Sequence, residues 1–114
     1  MEATATGKYL KGSPQKARLV VDLIRGRNVQ EALAILRASR RRSARLVVKV
    51  LQSAIANAEQ KDAAADLDNF YVSEAYVNSG PTKSRFRLRP APMGRAFRER
   101  RRQSHITIKI SDER

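Results

Sequence analysis

The chain has 114 residues, enough for one domain around one modest core, and 41% of them are hydrophobic. Its net charge of +13 repels a compact monomer and attracts polyanions, nucleic acid first and an anionic membrane surface second. The lack of cysteine and the single histidine, His105, exclude disulfides, thiolate metal sites and two-histidine metal sites. No apolar run approaches the roughly 18–20 residues of a membrane span. The opening MEATATGKYL lacks the apolar stretch of a secretory signal, so a cytosolic mature chain is expected.

Near the N-terminus, ATATGKYLK predicts a weak strand. Ser13-Pro14 then supplies an N-cap and a proline at the first helical position. In QKARLVVDLIRG, Ala17, Val20, Val21 and either Leu23 or Ile24 fall at helical spacing, and Gly26 is a stop. Asn28 caps a second helix, VQEALAILRAS, whose apolar face is Val29, Ala32, Leu33 and Leu36. From about Arg41 to Lys61, Ala44, Val47, Val48, Leu51, Ala54, Ile55 and Ala58 predict a third helix with a core-facing stripe. Its small alanines suit close packing.

After Asp68 the period changes from 3.6 to 2. FYVSEAYVNSG alternates Tyr71, Ser73, Ala75 and Val77 against Phe70, Val72, Glu74 and Tyr76, and SHITIKIS alternates Ile106, Ile108 and Ile110 against Thr107, Lys109 and Ser111. Both read as half-buried antiparallel strands. Between them lies PTKSRFRLRPAPMGRAFRERRR, residues 81–102, in which nine of twenty-two side chains are Lys or Arg and Glu99 is the only acid. In SRFRLR, period two separates Arg85, Arg87 and Arg89 from Phe86 and Leu88, whereas a helix would scatter these charges and break at Pro90 and Pro92. Residues 70–110 therefore read as one long β-hairpin turning at Pro90, Ala91, Pro92, Met93 and Gly94, with a basic half reaching ~30 Å past the sheet. A bare two-stranded ribbon is marginal in water, so a partner must complete its order.

The chain offers little to an enzyme. Ser104 and His105 have only Asp112 as a third member, farther along the same strand, and the glycines fit no phosphate-loop or dinucleotide pattern. The acids Glu59, Asp62, Asp66, Asp68 and Glu74 lack the spacing of a calcium loop and read as a solvated helix end. No cofactor or metal is expected.

Nucleic-acid binding has a positive case. Arginine outnumbers lysine, and its planar fork engages two phosphate oxygens at once. The hairpin brings Lys83, Arg85, Arg87, Arg89, Arg95, Arg98, Arg100, Arg101 and Arg102. Phe86 and Phe97 fit either stacking on exposed bases or cross-strand packing. A second cluster surrounds the start of the first helix: Lys8, Lys11, Ser13, Lys16 and Arg18, where helix N–H groups suit a phosphate. A third, RASRRRSAR, holds Arg37, Arg40, Arg41, Arg42 and Arg45. His105 is either structural or a hydrogen-bond donor to phosphate. Three clusters and a projecting arm point to a large, shaped RNA gripped at several places; a free-standing RNA chaperone or nucleic-acid architectural protein would share these features. A membrane-surface protein would instead present a basic amphipathic helix.

SPQKARLVVDLIRG, LQSAIANAEQ, and GRA followed by SHITIKISD resemble the bacterial large-subunit ribosomal protein twenty-two family, in the family's order, from about Lys8 to Asp112. The resemblance implies an α+β fold, three helices packed on a small antiparallel three-stranded sheet with a long protruding β-hairpin, in agreement with the elements above. The expected organisation is one domain, a body of about 1–80 and 103–114 and a hairpin of about 81–102. The resemblance also implies large-subunit rRNA and neighbouring ribosomal proteins as partners, a role in assembly, and a cytoplasmic, ribosomal location. It implies a hairpin along the nascent-peptide exit tunnel, its tip near the passing peptide. The tip departs from the family's usual Pro-Arg-Ala-Lys-Gly-Arg-Ala: here Pro90-Ala91-Pro92-Met93-Gly94-Arg95-Ala96 is apolar and less charged.

Overall fold

The computed structural model describes residues 1–64, 66–81, 86–90, 96–100 and 102–112. In chain order the elements are β1 (Glu2–Lys11), α1 (Pro14–Ile24), α2 (Val29–Ala38), α3 (Arg42–Lys61), a 3-10 turn (Leu67–Asn69), β2 (Tyr71–Ser79), β3 (Phe86–Pro90), β4 (Ala96–Arg100) and β5 (Gln103–Ser111). The sheet order is β1-β5-β2, all antiparallel, and β3 and β4 form a separate two-stranded ribbon.

The helices bury most of the stripes that periodicity marks, with Leu33, Val48 and Ile55 half-buried against the core. Ala17, Val20, Val21 and Ile24 of α1 are buried while Leu23 is 46% exposed, which settles the alternative at the end of that stripe. Ser13 holds the N-cap position with Pro14 behind it, yet its side chain makes no capping hydrogen bond. Asn28 does cap α2: its side chain accepts the Gln30 N–H at 2.9 Å. In α3 the core also takes Val50, outside the expected stripe. The reason is β1, whose Gly7 lies so close that a Cβ there would meet Val50 Cγ2 at 2.9 Å. The helix thus packs on two sides.

Both edge strands change phase part-way. Phe70 and Val72 are buried, then Ala75 and Val77, because the β2–β5 register shifts between Val72 and Glu74. Neither of the two alternating sets in FYVSEAYVNSG is therefore the buried one throughout; a bulge hands burial from one to the other. β1 does the same between Gly7 and Leu10, with Tyr9 at φ 58. Central β5 needs no shift and buries Ile106, Ile108 and Ile110 completely.

Side chains from the helices close the exposed edges. Arg18 of α1 donates through Nε and Nη2 to the Val77 carbonyl at 3.1 and 3.0 Å, and Arg25 donates to the Ala75 carbonyl. The α1–α2 loop covers the start of β2, with Gly26 N–H on the Val72 carbonyl at 2.9 Å and Val72 N–H on the Arg27 carbonyl at 2.8 Å. On the opposite edge, Asn57 and Lys61 of α3 donate to the carbonyls of Thr4 and Glu2 in β1. Unpaired edges recruit other strands, and these contacts forestall that.

Among the described residues, 70–110 hold two ladders, and residues 82–85 and 101, on which the continuity of the expected single hairpin turns, lie outside the described residues. The first ends with the Gly80 N–H on the Gln103 carbonyl at 2.8 Å, and the second begins at the Phe86–Arg100 pair. Five residues, 81–85, join them on the outgoing arm against two, 101 and 102, on the return. The molecule measures 65 × 25 × 18 Å with a radius of gyration of 17.2 Å. A compact domain of about this length has ~13 Å, so the ribbon projects.

Candidate nucleic-acid interface

In the ribbon, Phe86 pairs with Arg100, Arg87 with Glu99, Leu88 with Arg98, Arg89 with Phe97 and Pro90 with Ala96. The arginine positions of the two arms are thus out of phase: Arg98 and Arg100 stand opposite the apolar positions of β3, and Arg87 and Arg89 stand opposite Glu99 and Phe97. Neither phase of the ribbon is purely basic. Lys83, Arg85, Ala91, Pro92, Met93, Gly94, Arg95 and Arg101 lie outside the described residues.

The ribbon's base meets α1. The Gly12 N–H donates to the Arg102 carbonyl at 3.1 Å, and the Ser104 hydroxyl donates to the Gly12 carbonyl at 3.0 Å. Pro14, Gln15 and Arg18 share a concavity of about 280 Å³ with Ser79, Gly80, Arg102 and Gln103. The start of α1 therefore abuts the root of the arm.

On its other side α1 faces α3 across a larger cleft of about 540 Å³, lined by Lys11, Gly12, Ser13, Lys16, Arg42, Ser43, Arg45, Leu46 and Lys49. Lys11, Ser13 and Lys16 of the second sequence cluster and Arg42 and Arg45 of the third thereby share one surface, with five cations and no acid among the lining residues, whereas Lys8, Arg18, Arg37, Arg40 and Arg41 do not line it. Lys49 escapes a search for charge runs. The signal that finds it is helical spacing, since Arg42, Arg45 and Lys49 follow i, i+3, i+7 and share a face. Arg41 is exposed at the N-cap of α3, where its N–H donates to Ser39 Oγ at 3.3 Å, and Lys8 is exposed on β1.

The chain matches the family model described as Ribosomal protein L22p/L17e over residues 5–111. It belongs to that family. Among relatives it is 53% identical over 113 residues to the large ribosomal subunit protein uL22 of Solibacter usitatus (strain Ellin6076), covering 99% of this chain and 98% of that one. The uL22 of Geobacter metallireducens is 50% identical over 99% of this chain and 100% of its own, and that of Clostridium novyi is 46% identical over 98% of each.

Two residues of this L22p/L17e chain have structural partners that the sequence does not reveal. Arg18 spends two of its nitrogens on the Val77 carbonyl. His105 accepts the Tyr9 N–H on Nδ1 at 3.0 Å, which fixes the tautomer with hydrogen on Nε2 and leaves that atom as the donor. The acids play local parts: Asp62 accepts the Ala64 N–H at 3.0 Å and Asp66 the Asp68 N–H at 3.0 Å, as turn caps.

Proposed function

We propose that this chain is a non-catalytic structural constituent of the large ribosomal subunit in the cytoplasm, one domain that binds large-subunit rRNA and neighbouring ribosomal proteins. The observation that carries the reading is kinship over the whole chain with proteins named large ribosomal subunit protein uL22. Its physical content agrees. A charge of +13 asks for a polyanion, and a ribbon too slender to stand alone asks for a solid support. In this reading the cations of both arms, Lys83, Arg85, Arg87 and Arg89 outward and Arg95, Arg98, Arg100, Arg101 and Arg102 back, neutralise phosphates that converge on the arm. Lys8, Lys11, Ser13, Lys16, Arg18, Arg41, Arg42 and His105 hold RNA against the body. The tip from Pro90 to Gly94 lines the peptide exit tunnel and meets the nascent chain with an apolar surface.

The test replaces Arg98, Arg100, Arg101 and Arg102 by Ala together. Large-subunit assembly falls while far-ultraviolet circular dichroism reports an unchanged helical body. Large subunits that form in normal amount and sediment normally with the variant aboard would overturn the reading. A free-standing RNA chaperone is told apart by fractionation, because a subunit constituent co-sediments with large subunits in near one-to-one ratio.

A further inference from the structure

Ile106, Ile108 and Ile110 fill the core-facing positions of β5, and strand alternation puts Ser104 in the same phase. Ser104 is buried too, at 3% exposure, so the apolar stripe ends in a hydroxyl that must find a partner. That partner lies off the strand ladder: Ser104 Oγ donates to the Gly12 carbonyl at 3.0 Å. The Gly12 N–H donates in turn to the Arg102 carbonyl at 3.1 Å. Both backbone polar groups of Gly12 are thus aimed at residues 102–104. Its φ of 135 suits glycine and strains any other residue, although a Cβ there would meet nothing within 4 Å.

The other side of the same segment is also held. The Gly80 N–H donates to the Gln103 carbonyl at 2.8 Å, and a Cβ at Gly80 would meet Gln103 Cβ at 2.9 Å. Residues 102–104 are therefore gripped from two directions, by the chain leaving β1 and by the chain leaving β2. A single residue, 101, separates this segment from β4, against five, 81–85, between Gly80 and β3. Of the two links between body and arm, the return link is the short one.

We propose that Ser104, with Gly12 as its partner, positions the arm: the clamp on residues 102–104 sets the direction in which the ribbon leaves the body before RNA is met. The proposal rests on the rRNA-binding reading above and adds what aims the arm. Direction matters because the arm is a lever. About 30 Å from its root a tilt of about 10° displaces it by about 5 Å, beyond the reach of a hydrogen bond. The ribbon's own pairing does not supply the direction, since β3 and β4 pair only with each other among the described strands. An arm already aimed gives up less freedom on binding, so a buried hydroxyl can raise affinity without touching RNA. A fourth isoleucine at this position would continue the core but bond to nothing in the bend before α1.

The experiment is a double-mutant cycle on the affinity of the full chain for large-subunit rRNA transcript at one salt concentration. Its members are wild type, Ser104→Ala, Arg98→Ala with Arg100→Ala, and the combination, each checked for a folded body by far-ultraviolet circular dichroism. Ser104→Ala weakens binding about tenfold with the arm arginines present, because ordering of the arm moves into the binding step, and less than about twofold once they are gone. Equal losses in both backgrounds make Ser104 a support of the body alone and overturn the proposal, as does wild-type affinity in folded Ser104→Ala. Should Ser104→Ala misfold, Gly12→Ala takes its place, straining the bend where space is open, and the same coupling is expected. Wild-type protein that fails to bind the transcript overturns the underlying reading itself.

Discussion

Nδ1 of His105 accepts the backbone N–H of Tyr9 at 3.0 Å, and the two rings meet edge to face with centroids 5.0 Å apart. Tyr9 sits at φ 58, an uncommon backbone for a bulky residue, in the bulge of β1. The histidine therefore pins the point where that strand changes phase. His105→Ala removes both interactions, and since the bond is open to water the cost is about 1 kcal/mol. Urea unfolding checks the figure, and amide exchange at Tyr9 should quicken. An unchanged Tyr9 exchange rate argues that the ring does not hold the bulge.

Arg18 stands at the junction of structure and interface. Its forked bond to the Val77 carbonyl closes the free edge of β2. Arg18→Lys keeps the charge and loses the fork, and Arg18→Ala loses both. The expected order of stability is Arg above Lys above Ala, spanning about 1–2 kcal/mol for a charge-assisted bond at a partly exposed site. If Lys matches Arg in denaturation midpoint while RNA affinity drops, the fork serves RNA alone.

Gly80 lies where body and arm join. A Cβ there would meet Gln103 Cβ at 2.9 Å and the Gln103 backbone at 3.3 Å. Backbone cannot step aside as a flexible side chain can. Gly80→Ala should destabilise the protein by about 1–3 kcal/mol and disturb the Ser79–Ser104 pair in preference to the helices. Chemical-shift changes confined to the ends of β2 and β5 would bear this out; changes centred on α3 would contradict it.

The ribbon β3–β4 pairs only with itself among the described strands. In the free protein its amides should exchange at near-unprotected rates while Val47 to Ala58 in α3 stay protected, and bound rRNA should slow the ribbon alone. Hydrogen exchange with and without the transcript measures this. A free ribbon as protected as α3 refutes the dependence on RNA.

Lys109 bridges to Glu2 at 3.0 Å on the outer sheet face, and the hydrogen bond and charge of Glu2 hold its pKa above the ordinary value. A raised folded pKa gives a contribution fully present below the ordinary lysine value of about 10.4 and lost as pH climbs through the folded one. Near neutral pH that contribution is therefore present in full and does not vary with pH. Glu2→Gln should move the Lys109 titration, followed by NMR at Cε, down toward the ordinary value. A titration that stays put shows that the bridge does not persist in solution.

The chain by itself determined its elements, because their causes are local. Period 3.6 in Ala44, Val47, Leu51 and Ala54 makes α3 whatever lies beside it, Asn28 caps α2 from two residues away, and SRFRLR with Pro90 and Pro92 permits a strand and forbids a helix. The excess of arginine likewise points to a polyanion independently of any fold. Only the tertiary structure decided what depends on residues far apart. The bulge between Val72 and Glu74 reconciles two incompatible alternations by reference to β5, and Val50 is buried because Gly7 lets β1 approach. The register of β3 on β4 sets Arg98 against Leu88, splitting the arginines between the ribbon's two phases. Lys16 and Lys49, thirty-three positions apart, line one cleft. Charge counts along a chain add in one dimension, whereas repulsion and phosphate binding depend on distance in three.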